Sequence, residues 1–406
     1  MLTGAPVPDD LFAEEPTFMQ NRPTLLCLSH LRWDFVFQRP QHLMTRFARD
    51  MDVIYWEEPV VIGRGETAHL DVRQVPGQPH ICIIVPQVPA GLTMDQAAST
   101  LTRLFEAFAA ALRGTLIAWY YTPLMLPFSR GLKADLVVFD VMDELSKFRF
   151  APDYLLALEQ ELIDIADVVF TGGSSLFAAK KDRHPNVHCF PSSVDRSHFM
   201  RARAAAPDPA DQAGLSHPRL GFYGVIDERF DIALLDQVAA LRPDWALVMV
   251  GPVVKMDDID LPKRSNIHYL GPKTYAELPD YLRGWDVALM PFAMNESTEF
   301  ISPTKTPEYL AGGKPVVSTP VRDVVRHYGH LEGVKIAAGA AEFVAACEAA
   351  LALGGQPTGE WLVEADAMLA AASWETVQSR MSGLISEALA QTTTWSASSA
   401  MLVAAE

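Results

Sequence analysis

The chain has 406 residues, of which 49% are hydrophobic, and a formal net charge of −17. A single core rarely grows to this length, so we expect two domains. The acidic surplus excludes bulk binding to nucleic acid or anionic lipid, since both require an excess of Lys and Arg. The four cysteines lack metal-ligand spacing, and Cys27 and Cys82 lie in apolar strand-like runs, which predicts buried thiols in a reducing compartment.

Residues 1–22 are predicted to form a flexible segment. They contain neither a basic n-region nor an apolar h-region, so no signal peptide is expected. No run in the chain approaches about 18 apolar residues, the length that a membrane-spanning helix needs. We therefore expect a cytoplasmic protein with no membrane span and no nucleic-acid partner.

Short apolar strands alternate with helical patterns in residues 23–200, which predicts a parallel sheet flanked by helices. Thr93 and Gln96 fit a capping box at the start of one helix, and Gly114 fits its stop. The apolar face of this helix predicts packing on the sheet and comprises Leu101, Leu104, Phe105, Phe108 and Leu112. Seven strands are predicted, at 24–29, 52–58, 81–86, 115–120, 135–140, 167–172 and 186–192.

Residues 201–218 are rich in Ala, Pro, Asp and Gly and lack periodicity, which indicates a linker. The alternation resumes in residues 219–372, followed by a helix at 373–390 and a flexible tail at 391–406. Strands are predicted at 219–226, 246–252, 266–272, 286–292, 314–320 and 334–339, and helices at 232–241, 275–284, 306–311 and 341–352. Ligands of open α/β sheets bind beyond the carboxyl ends of the strands, so a cleft between two such halves is the expected site.

The stretch "FISPTKTPEYLAGGKPVVST", residues 300–319, lies between two predicted strands and therefore predicts a βαβ crossover. Either Ser302-Pro303 or Thr306-Pro307 can supply the first residues of its helix, and the sequence does not decide between them. Gly312-Gly313 is expected to end this helix after few turns.

Two charged side chains stand at the start of this helix. Lys305 adds a positive charge beside free backbone N–H groups, which favours an anion such as a diphosphate. Glu308 can accept two hydrogen bonds from a vicinal diol such as a ribose. Together they predict a nucleotide-diphosphate pocket, the alternative being that the helix is only capped, Glu308 only favours its dipole and Lys305 is solvated.

The motif "SPTKTPEYLAGGKPVVST" resembles the donor site of GT-B glycosyltransferases of group 1, of the family-4-like type. "ADVVFTGGSSLFAAK" and "NVHCFPSSVDRSHF" resemble the end of their acceptor domain, and "NIHYLGPKTYAELPDYLRGWDVALMPF" resembles the run into the donor helix. "SWETVQSRMSGLISEAL" resembles their C-terminal helix, which crosses back onto the first domain. The resemblance covers roughly residues 135–390 and implies the GT-B fold, two Rossmann-like α/β domains that face each other across a cleft.

The resemblance assigns Glu308 to the nucleotide ribose and the loop residues Ser302 and Thr304 to the diphosphate. Gly224 and Gly251 follow strands of the donor domain and are expected beside the nucleotide. The family usually has a basic residue directly after the first of these glycines, where this chain has Val225. Arg229 and Lys305 are the candidates to supply that charge instead.

A second departure concerns the donor sugar. The family often has another Glu eight residues before the ribose Glu, where it touches the sugar, and this chain has Phe300 at that place. Glu299 and Glu296 are the candidate substitutes. The identity of the donor sugar is therefore open.

The motif "SHLRWDFVFQRPQHLMTRFA" follows the first strand and is similar to a subset of these transferases that act on bacterial surface sugars. His30, Arg32, Trp33 and Asp34 are expected on the acceptor side of the cleft. His30 can equally be a structural histidine.

The run "LVVFDVMDELSKF" places two carboxylates at the end of an apolar strand. Related enzymes have a His-Asp pair here that points at the reacting sugar, and Met142 and Asp143 occupy these two places. Asp143 is the first candidate for a catalytic residue and Asp140 the second. The alternative is that both residues cap the next helix.

The resemblance implies a metal-independent glycosyltransferase of the hexosyltransferase type. It would move a sugar from a UDP- or GDP-type nucleotide sugar, with no other cofactor, to a glycan or lipid-linked acceptor in bacterial surface polysaccharide synthesis. We expect at most weak peripheral contact with the inner face of the membrane. A sugar-nucleotide epimerase of GT-B shape and a non-catalytic nucleotide-sugar-binding subunit are the alternatives. The base, sugar and acceptor stay open, and the resemblance favours retention over inversion.

Overall fold

The computed structural model describes residues 22–256, 260–354 and 359–403, with side chains described as far as Thr392. The segment predicted to be flexible, 1–22, lies outside the described residues except for Arg22. The described chain forms two α/β domains, each built on a mainly parallel sheet. This is the two-domain α/β class that the sequence predicts.

The first sheet contains all seven predicted strands and two further ones. Its strands are β1 (Thr24–Leu28), β2 (Asp52–Trp56), β3 (Val60–Ile62), β4 (His69–Val75), β5 (Gln78–Pro89), β6 (Leu116–Tyr120), β7 (Leu136–Val141), β8 (Val168–Thr171) and β9 (Val187–Cys189). Their order is β3-β5-β2-β1-β6-β7-β8-β9, with β4 also pairing with β5. The β4–β5 pair is antiparallel and the other pairs are parallel. The helices of this half are α1 (Arg39–Phe47), α2 (Met94–Ala109), α3 (Leu126–Ser129), α4 (Leu155–Ile165) and α5 (Ser174–Lys180).

The second sheet is parallel and contains the six predicted strands. They are β10 (Arg219–Tyr223), β11 (Ala246–Val250), β12 (Ile267–Gly271), β13 (Val287–Met290), β14 (Val316–Ser318) and β15 (Val334–Ile336), in the order β12-β11-β10-β13-β14-β15. The remaining helices are α6 (Arg196–Met200), α7 (Ala210–Ala213), α8 (Ile232–Leu241), α9 (Leu278–Arg283), α10 (Lys305–Ala311), α11 (Arg322–Tyr328), α12 (Ala340–Gly354), α13 (Glu360–Leu369) and α14 (Trp374–Val403).

Strand β1 shows why the central strands are apolar throughout. Successive side chains of a strand point to opposite faces, so a strand covered on both faces needs an unbroken apolar run. Leu25 and Cys27 belong to the core on one face of the sheet, and Leu26 and Leu28 belong to the core on the other. Cys27 and Cys82 are buried free thiols, as predicted.

Helix α2 has the predicted capping box. The Thr93 backbone N–H donates to Gln96 Oε1 at 3.0 Å, and the Gln96 N–H donates to Thr93 Oγ1 at 3.3 Å. Phe105 and Phe108 are fully buried, and the other predicted apolar residues pack against the same core. The apolar face of this helix therefore packs on its own sheet.

The segment predicted as a linker, 201–218, is a packed part of the second domain. Arg203 pairs with Asp366 at 2.8 Å, and Gln212 is fully buried. The core of this domain also includes Val194 and Phe199, so it begins before the linker rather than after it. Chain composition could not reveal this because the apolar residues that fix the segment are few and irregularly spaced.

Helix α14 crosses back onto the first domain, as the resemblance implies. Trp374, Met381, Ile385 and Ala388 belong to a core of the first domain, where Trp374 stacks on His42 at 4.6 Å. The helix does not end near residue 390 but continues through the predicted tail as far as Val403.

The two domains are in contact beside the cleft. Asp323 of α11 accepts hydrogen bonds from the backbone N–H groups of Ser174 and Ser175, at 2.8 and 3.1 Å, and from the Ser175 hydroxyl at 2.6 Å. An aspartate of the second domain thus caps helix α5 of the first. Among the described helices, none is long and apolar enough to cross a membrane.

Candidate active site

A cleft that is partly open to solvent lies between the carboxyl ends of the two sheets. The ends of β7, β10 and β11 contribute Asp143, Gly224 and Gly251 to its wall. The loop before α10 and its first turn contribute Ser302, Thr304, Lys305 and Glu308. Every residue predicted for the nucleotide side therefore reaches this cleft, Arg229 included.

Two glycines bring neighbouring loops close together at the floor of the cleft. Gly224 and Gly251 have φ angles of 141° and 143°, a backbone conformation that side chains disfavour. A Cβ on Gly251 would lie 1.9 Å from the Gly224 carbonyl oxygen, and one on Gly224 would lie 2.3 Å from Lys305 Cε. Glycine at both positions lets Lys305 lie directly over the end of β10.

Lys305 is the first residue of α10 and points its ammonium group into the cleft. Its Nζ lies 5.7 Å from the centre of the Phe222 ring and 5.9 Å from that of Phe292. Burial lowers the pKa of Lys305, and the nearby Glu308 opposes this effect. Within the described residues Lys305 makes no hydrogen bond, so its donors are available to an anionic ligand.

Arg229, the second cation predicted for the nucleotide side, also lines the cleft and lies on the loop after β10. Its guanidinium donates to both carboxylate oxygens of Asp227, at 2.7 to 3.2 Å. It also lies 5.6 Å from the ring centre of Phe148, across the cleft in the first domain. Asp227 thus orients Arg229 and offsets part of its charge.

Glu308 lies in the first turn of α10 and is only 6% exposed. The Tyr223 hydroxyl donates to its Oε2 at 2.8 Å. Burial raises the pKa of Glu308 to about 7, while Lys305, the hydrogen bond from Tyr223 and the nearby Thr304 hydroxyl oppose the rise. Burial therefore shifts the titration of this carboxyl group towards neutral pH.

Neither of the two predicted helix starts is correct. Helix α10 begins at Lys305, with Thr304 as its N-cap and no side-chain capping bond. Pro307 lies inside the first turn, where a missing backbone N–H leaves no intrahelical bond unmade. Gly312 is the C-cap and Gly313 has a φ of 75°, so the predicted end of the helix is confirmed.

Asp143 follows β7 in the first domain and is partly exposed in the cleft. Burial raises its pKa, as does Asp227, whereas Arg229 and Lys305 lower it. These charges all belong to the second domain, so the carboxylate faces the predicted donor side. It caps no helix in the described chain and makes no hydrogen bond there, which removes the capping alternative.

Asp140 is not in the cleft, which corrects its assignment as a catalytic candidate. It is fully buried, and its two oxygens accept hydrogen bonds from Arg39 Nε and Nη2, both at 2.9 Å. Arg39 also donates to the Phe190 carbonyl at 2.7 Å. Successive side chains of a strand point to opposite faces of the sheet, so Asp140 can be buried while residues that follow it line the cleft. Asp140 holds Arg39 in the wall of the site.

The predicted acceptor-side residues lie on the loop after β1 but do not line this cleft. Arg32 pairs with Glu57 at 2.9 Å, Trp33 is in the core, and the exposed Asp34 pairs with Arg73. Residues further along the same loop line the cleft instead, namely Val36, Phe37, Gln38 and Arg39.

His30 is the member of this group that faces the second domain. Burial and the charge of Lys255 lower its pKa to about 4. Its Nδ1 has no hydrogen-bond partner among the described residues. A neutral histidine at this position is consistent with the structural alternative.

Solved structures with the same architecture cover nearly the whole chain. Sucrose-phosphate synthase from Thermosynechococcus elongatus superimposes with a TM-score of 0.67 at 16% identity, covering 91% of this chain and all of that one. Anabaena HepE in complex with UDP gives 0.62 at 13% identity, covering 90% of this chain and all of that one. An Escherichia coli trehalose-6-phosphate structure bound with UDP-2-fluoro glucose gives 0.63 at 13% identity, with 90% and 99% coverage.

The second domain also matches a sequence family. Residues 217–353 fit the family described as "Glycosyl transferases group 1". The chain has the GT-B fold, and its second domain is a group 1 glycosyltransferase domain. The predicted family resemblance is thus confirmed.

A curated relative of this chain is TuaH of Bacillus subtilis (strain 168), provisionally named as a teichuronic acid biosynthesis glycosyltransferase. It is 28% identical over 264 residues, covering 59% of this chain and 64% of the relative. The match therefore spans less than two thirds of the relative's length.

The structure accounts for the phenylalanine at position 300 of this group 1 domain, where the family often has a glutamate. Phe300 packs against a core of the first domain, where a glutamate would be unfavourable. Glu299 pairs with Arg322 at 3.0 Å and Glu296 with Lys147 at 3.5 Å, and neither lines the cleft. Neither candidate substitute is placed to touch a donor sugar there.

Aromatic residues of the cleft escaped the sequence analysis. Phe37 of the first domain stacks on Tyr275 of the second, with ring centres 4.5 Å apart. Tyr275 also stacks on His198 at 4.2 Å, and its hydroxyl has no partner among the described residues. The apolar run of Phe35, Val36 and Phe37 in a loop was a usable signal for Phe37, but no local pattern marks Tyr275.

No group of three or more His, Cys, Asp or Glu side chains in the described ranges has an arrangement that could hold a metal ion. Metal independence stays a prediction.

Proposed function

We propose that this protein transfers a sugar from a nucleotide-diphosphate sugar to a hydroxyl group of a glycan or lipid-linked acceptor. The observation that supports this most strongly is the convergence of Lys305, Arg229 and Glu308 in the cleft, beside the closely packed Gly224 and Gly251. The group 1 match covers the domain that carries these residues.

The second domain would bind the nucleotide. The ammonium of Lys305, which has no hydrogen-bond partner among the described residues, and the guanidinium of Arg229 suit the two negatively charged phosphates. The Glu308 carboxylate suits the ribose hydroxyls, which are hydrogen-bond donors. Among the proteins of the same fold, Anabaena HepE is known in complex with UDP, and we extend UDP- or GDP-type nucleotide binding to this chain.

The sugar would be transferred between the domains. As the bond from the sugar to the diphosphate breaks, negative charge grows on the diphosphate, and Lys305 and Arg229 would stabilise it without a metal ion. Asp143 faces these cations from the first domain, where it would orient or deprotonate the acceptor hydroxyl, or stabilise positive charge on the sugar ring.

We place this reaction in bacterial surface polysaccharide synthesis at the inner face of the membrane. The provisional name of TuaH, a protein of teichuronic acid biosynthesis, supports this placement. The acceptor would then be a growing glycan or a lipid-linked precursor.

A thermal-shift screen against UDP-, GDP- and ADP-sugars tests donor binding first. A ligand present at 100 times its Kd stabilises the folded protein by about 2.7 kcal/mol, which shifts the melting temperature measurably. The donor found in this way is then incubated with the protein, with and without membrane-derived glycan acceptor, and the products are analysed. We expect nucleotide diphosphate and a glycosylated acceptor.

The same product analysis separates the alternatives. An epimerase would convert the sugar nucleotide to its epimer without any acceptor. A non-catalytic subunit would bind the sugar nucleotide and return it unchanged under both conditions. Failure of every sugar nucleotide to shift the melting temperature would contradict the proposed function itself.

A further inference from the structure

Glu308 is held by a tyrosine from the neighbouring strand. Tyr223 is the last residue of β10, is 3% exposed and reaches the cleft wall beside Glu308. Its hydroxyl donates to Glu308 Oε2 at 2.8 Å. Its own backbone N–H donates to the Tyr309 hydroxyl at 3.0 Å, so the tyrosine is fixed at both ends.

The rest of the environment leaves Tyr223 few other positions. Its ring packs edge-on against Tyr309 at 4.7 Å and lies 5.8 Å from the ring of Trp285. Burial and the nearby Glu308 raise the pKa of Tyr223 well above its usual value, so the hydroxyl keeps its proton and acts as a donor. A donor fixed in this way selects one orientation of the carboxylate and favours its ionised form.

We propose that Tyr223 is a positioning residue for ribose recognition, which holds Glu308 as an oriented carboxylate that accepts hydrogen bonds from the 2′- and 3′-hydroxyls of a bound nucleotide. An ionised carboxylate has about four acceptor positions, so the bond from Tyr223 leaves capacity for both hydroxyls of a diol. This inference rests on the proposed nucleotide site and assigns to it a residue that selects ribonucleotides.

The surrounding charges determine how binding depends on pH. Lys305 on the same helix lowers the pKa of Glu308, as do the hydroxyls of Tyr223 and Thr304, while burial raises it to about 7. The hydroxyls of Tyr275 and Tyr309 lie near enough to feel its charge, and both stay protonated because burial raises their pKa values. Protonated Glu308 loses acceptor capacity, so nucleotide binding strengthens as the pH rises through about 7.

Replacing Tyr223 by Phe removes the hydroxyl and keeps the ring. Without this donor the ionised form of Glu308 is less favoured, so its pKa rises and the pH at which binding strengthens moves upward. Hydrogen bonds to charged groups are among the stronger ones, and we expect binding at pH 7 to weaken about tenfold. Discrimination between ribonucleotide and 2′-deoxyribonucleotide falls as well, because the carboxylate is no longer fixed.

The experiment titrates UDP, GDP, ADP and their 2′-deoxy forms by calorimetry at pH 6 to 9. It compares wild-type protein with Tyr223→Phe and Glu308→Gln. Tyr269→Phe is the matched control, because the Tyr269 hydroxyl donates to the Pro262 carbonyl oxygen at 3.3 Å in the same domain and neither residue lines the cleft. The phosphates of the nucleotide also titrate in this range, but equally for all four proteins, so the differences between proteins report Glu308.

The expected result is an upward shift of the pH midpoint in Tyr223→Phe, no protein-linked midpoint in Glu308→Gln, and wild-type behaviour in Tyr269→Phe. If the wild type binds a nucleotide and Tyr223→Phe keeps the same pH midpoint and the same discrimination against 2′-deoxynucleotides, the inference is overturned. The proposed function is then unaffected. Failure of wild type to bind any nucleotide contradicts the proposed function instead. If Tyr223→Phe does not fold, wild type alone still decides, since indifference to the 2′-hydroxyl would overturn the inference.

Discussion

At the scale of single residues, Asp140 and Asp143 have the same side chain but different roles, because their neighbours differ. They stand three positions apart at the end of the same strand. Asp140 is fully buried against Arg39, whereas Asp143 opens into the cleft towards Arg229 and Lys305. The sequence indicates that carboxylates lie at this strand end, but Arg39 is 101 positions from Asp140 and no local pattern links them.

Replacement of Asp143 by Asn tests its catalytic role. Asn keeps the size of the side chain and removes its charge, so we expect turnover to fall by at least about 10²-fold. Nucleotide affinity and melting temperature should stay close to wild type, because the carboxylate makes no hydrogen bond within the described chain. Steady-state kinetics, calorimetry and thermal unfolding measure the three quantities. Near-normal turnover would reject the role.

Replacement of Asp140 by Asn should act on stability. It leaves the buried Arg39 guanidinium without its ionic partner, and breaking a buried pair in this way typically costs about 3–5 kcal/mol. Chemical denaturation of Asp140→Asn and Asp143→Asn, measured side by side, checks the contrast. Equal free energies of unfolding for the two variants would show that the Arg39–Asp140 pair contributes no special stability.

At the scale of secondary-structure elements, those with a strong apolar periodicity could be predicted and those with weak local signals could not. The apolar face of α2 follows from spacing alone, as does the apolar stripe on α14, which comprises Trp374, Val377, Met381, Leu384 and Ile385. Strand β3 was missed because it has only three residues, none of them buried. Strand β4 begins with alternating polar and apolar residues, which was a usable strand signal. The start of α10 was misplaced because two Ser/Thr-Pro steps compete in the sequence, and the structure uses neither as its first pair.

Removal of α14 tests its assignment to the first domain. A chain that ends after residue 372 loses Trp374, Met381 and Ile385 from a core of the first domain. We expect the first domain to be strongly destabilised as a result. A chain that ends after residue 392 keeps this stripe and serves as the control. Hydrogen exchange of the β1 and β6 amides measures the first domain separately. Equal protection in both truncated chains would contradict the assignment.

At the scale of the whole molecule, the alternation of strands and helices predicts two domains and a cleft, but not how the domains are held together. Asp323 caps α5 across the interface, between residues 149 positions apart in the chain. Gly173 is needed there, because a Cβ would lie 2.5 Å from an Asp323 oxygen and 2.6 Å from Ser302 Cβ. This contact therefore brings the first domain against the loop predicted to hold the diphosphate.

Replacement of Asp323 by Ala should favour separation of the domains. Loss of a helix cap costs about 0.5–2 kcal/mol, which lowers the ratio of closed to open molecules by about 2- to 30-fold. Small-angle scattering or energy transfer between labels on the two domains measures the change. Asp236→Ala is the control, since Asp236 pairs with Arg264 inside the second domain. Identical distance distributions in both variants would exclude Asp323 as a determinant of closure.

The most direct test of the proposed nucleotide site is calorimetric titration of UDP, GDP and ADP into wild-type protein, Glu308→Ala and Lys305→Ala. A pH near 8 keeps Glu308 mostly ionised in the wild type. We predict that at least one nucleotide binds the wild type and binds each variant at least about tenfold more weakly, while each variant remains folded. Absence of binding to the wild type, or equal affinity in all three proteins, would contradict it.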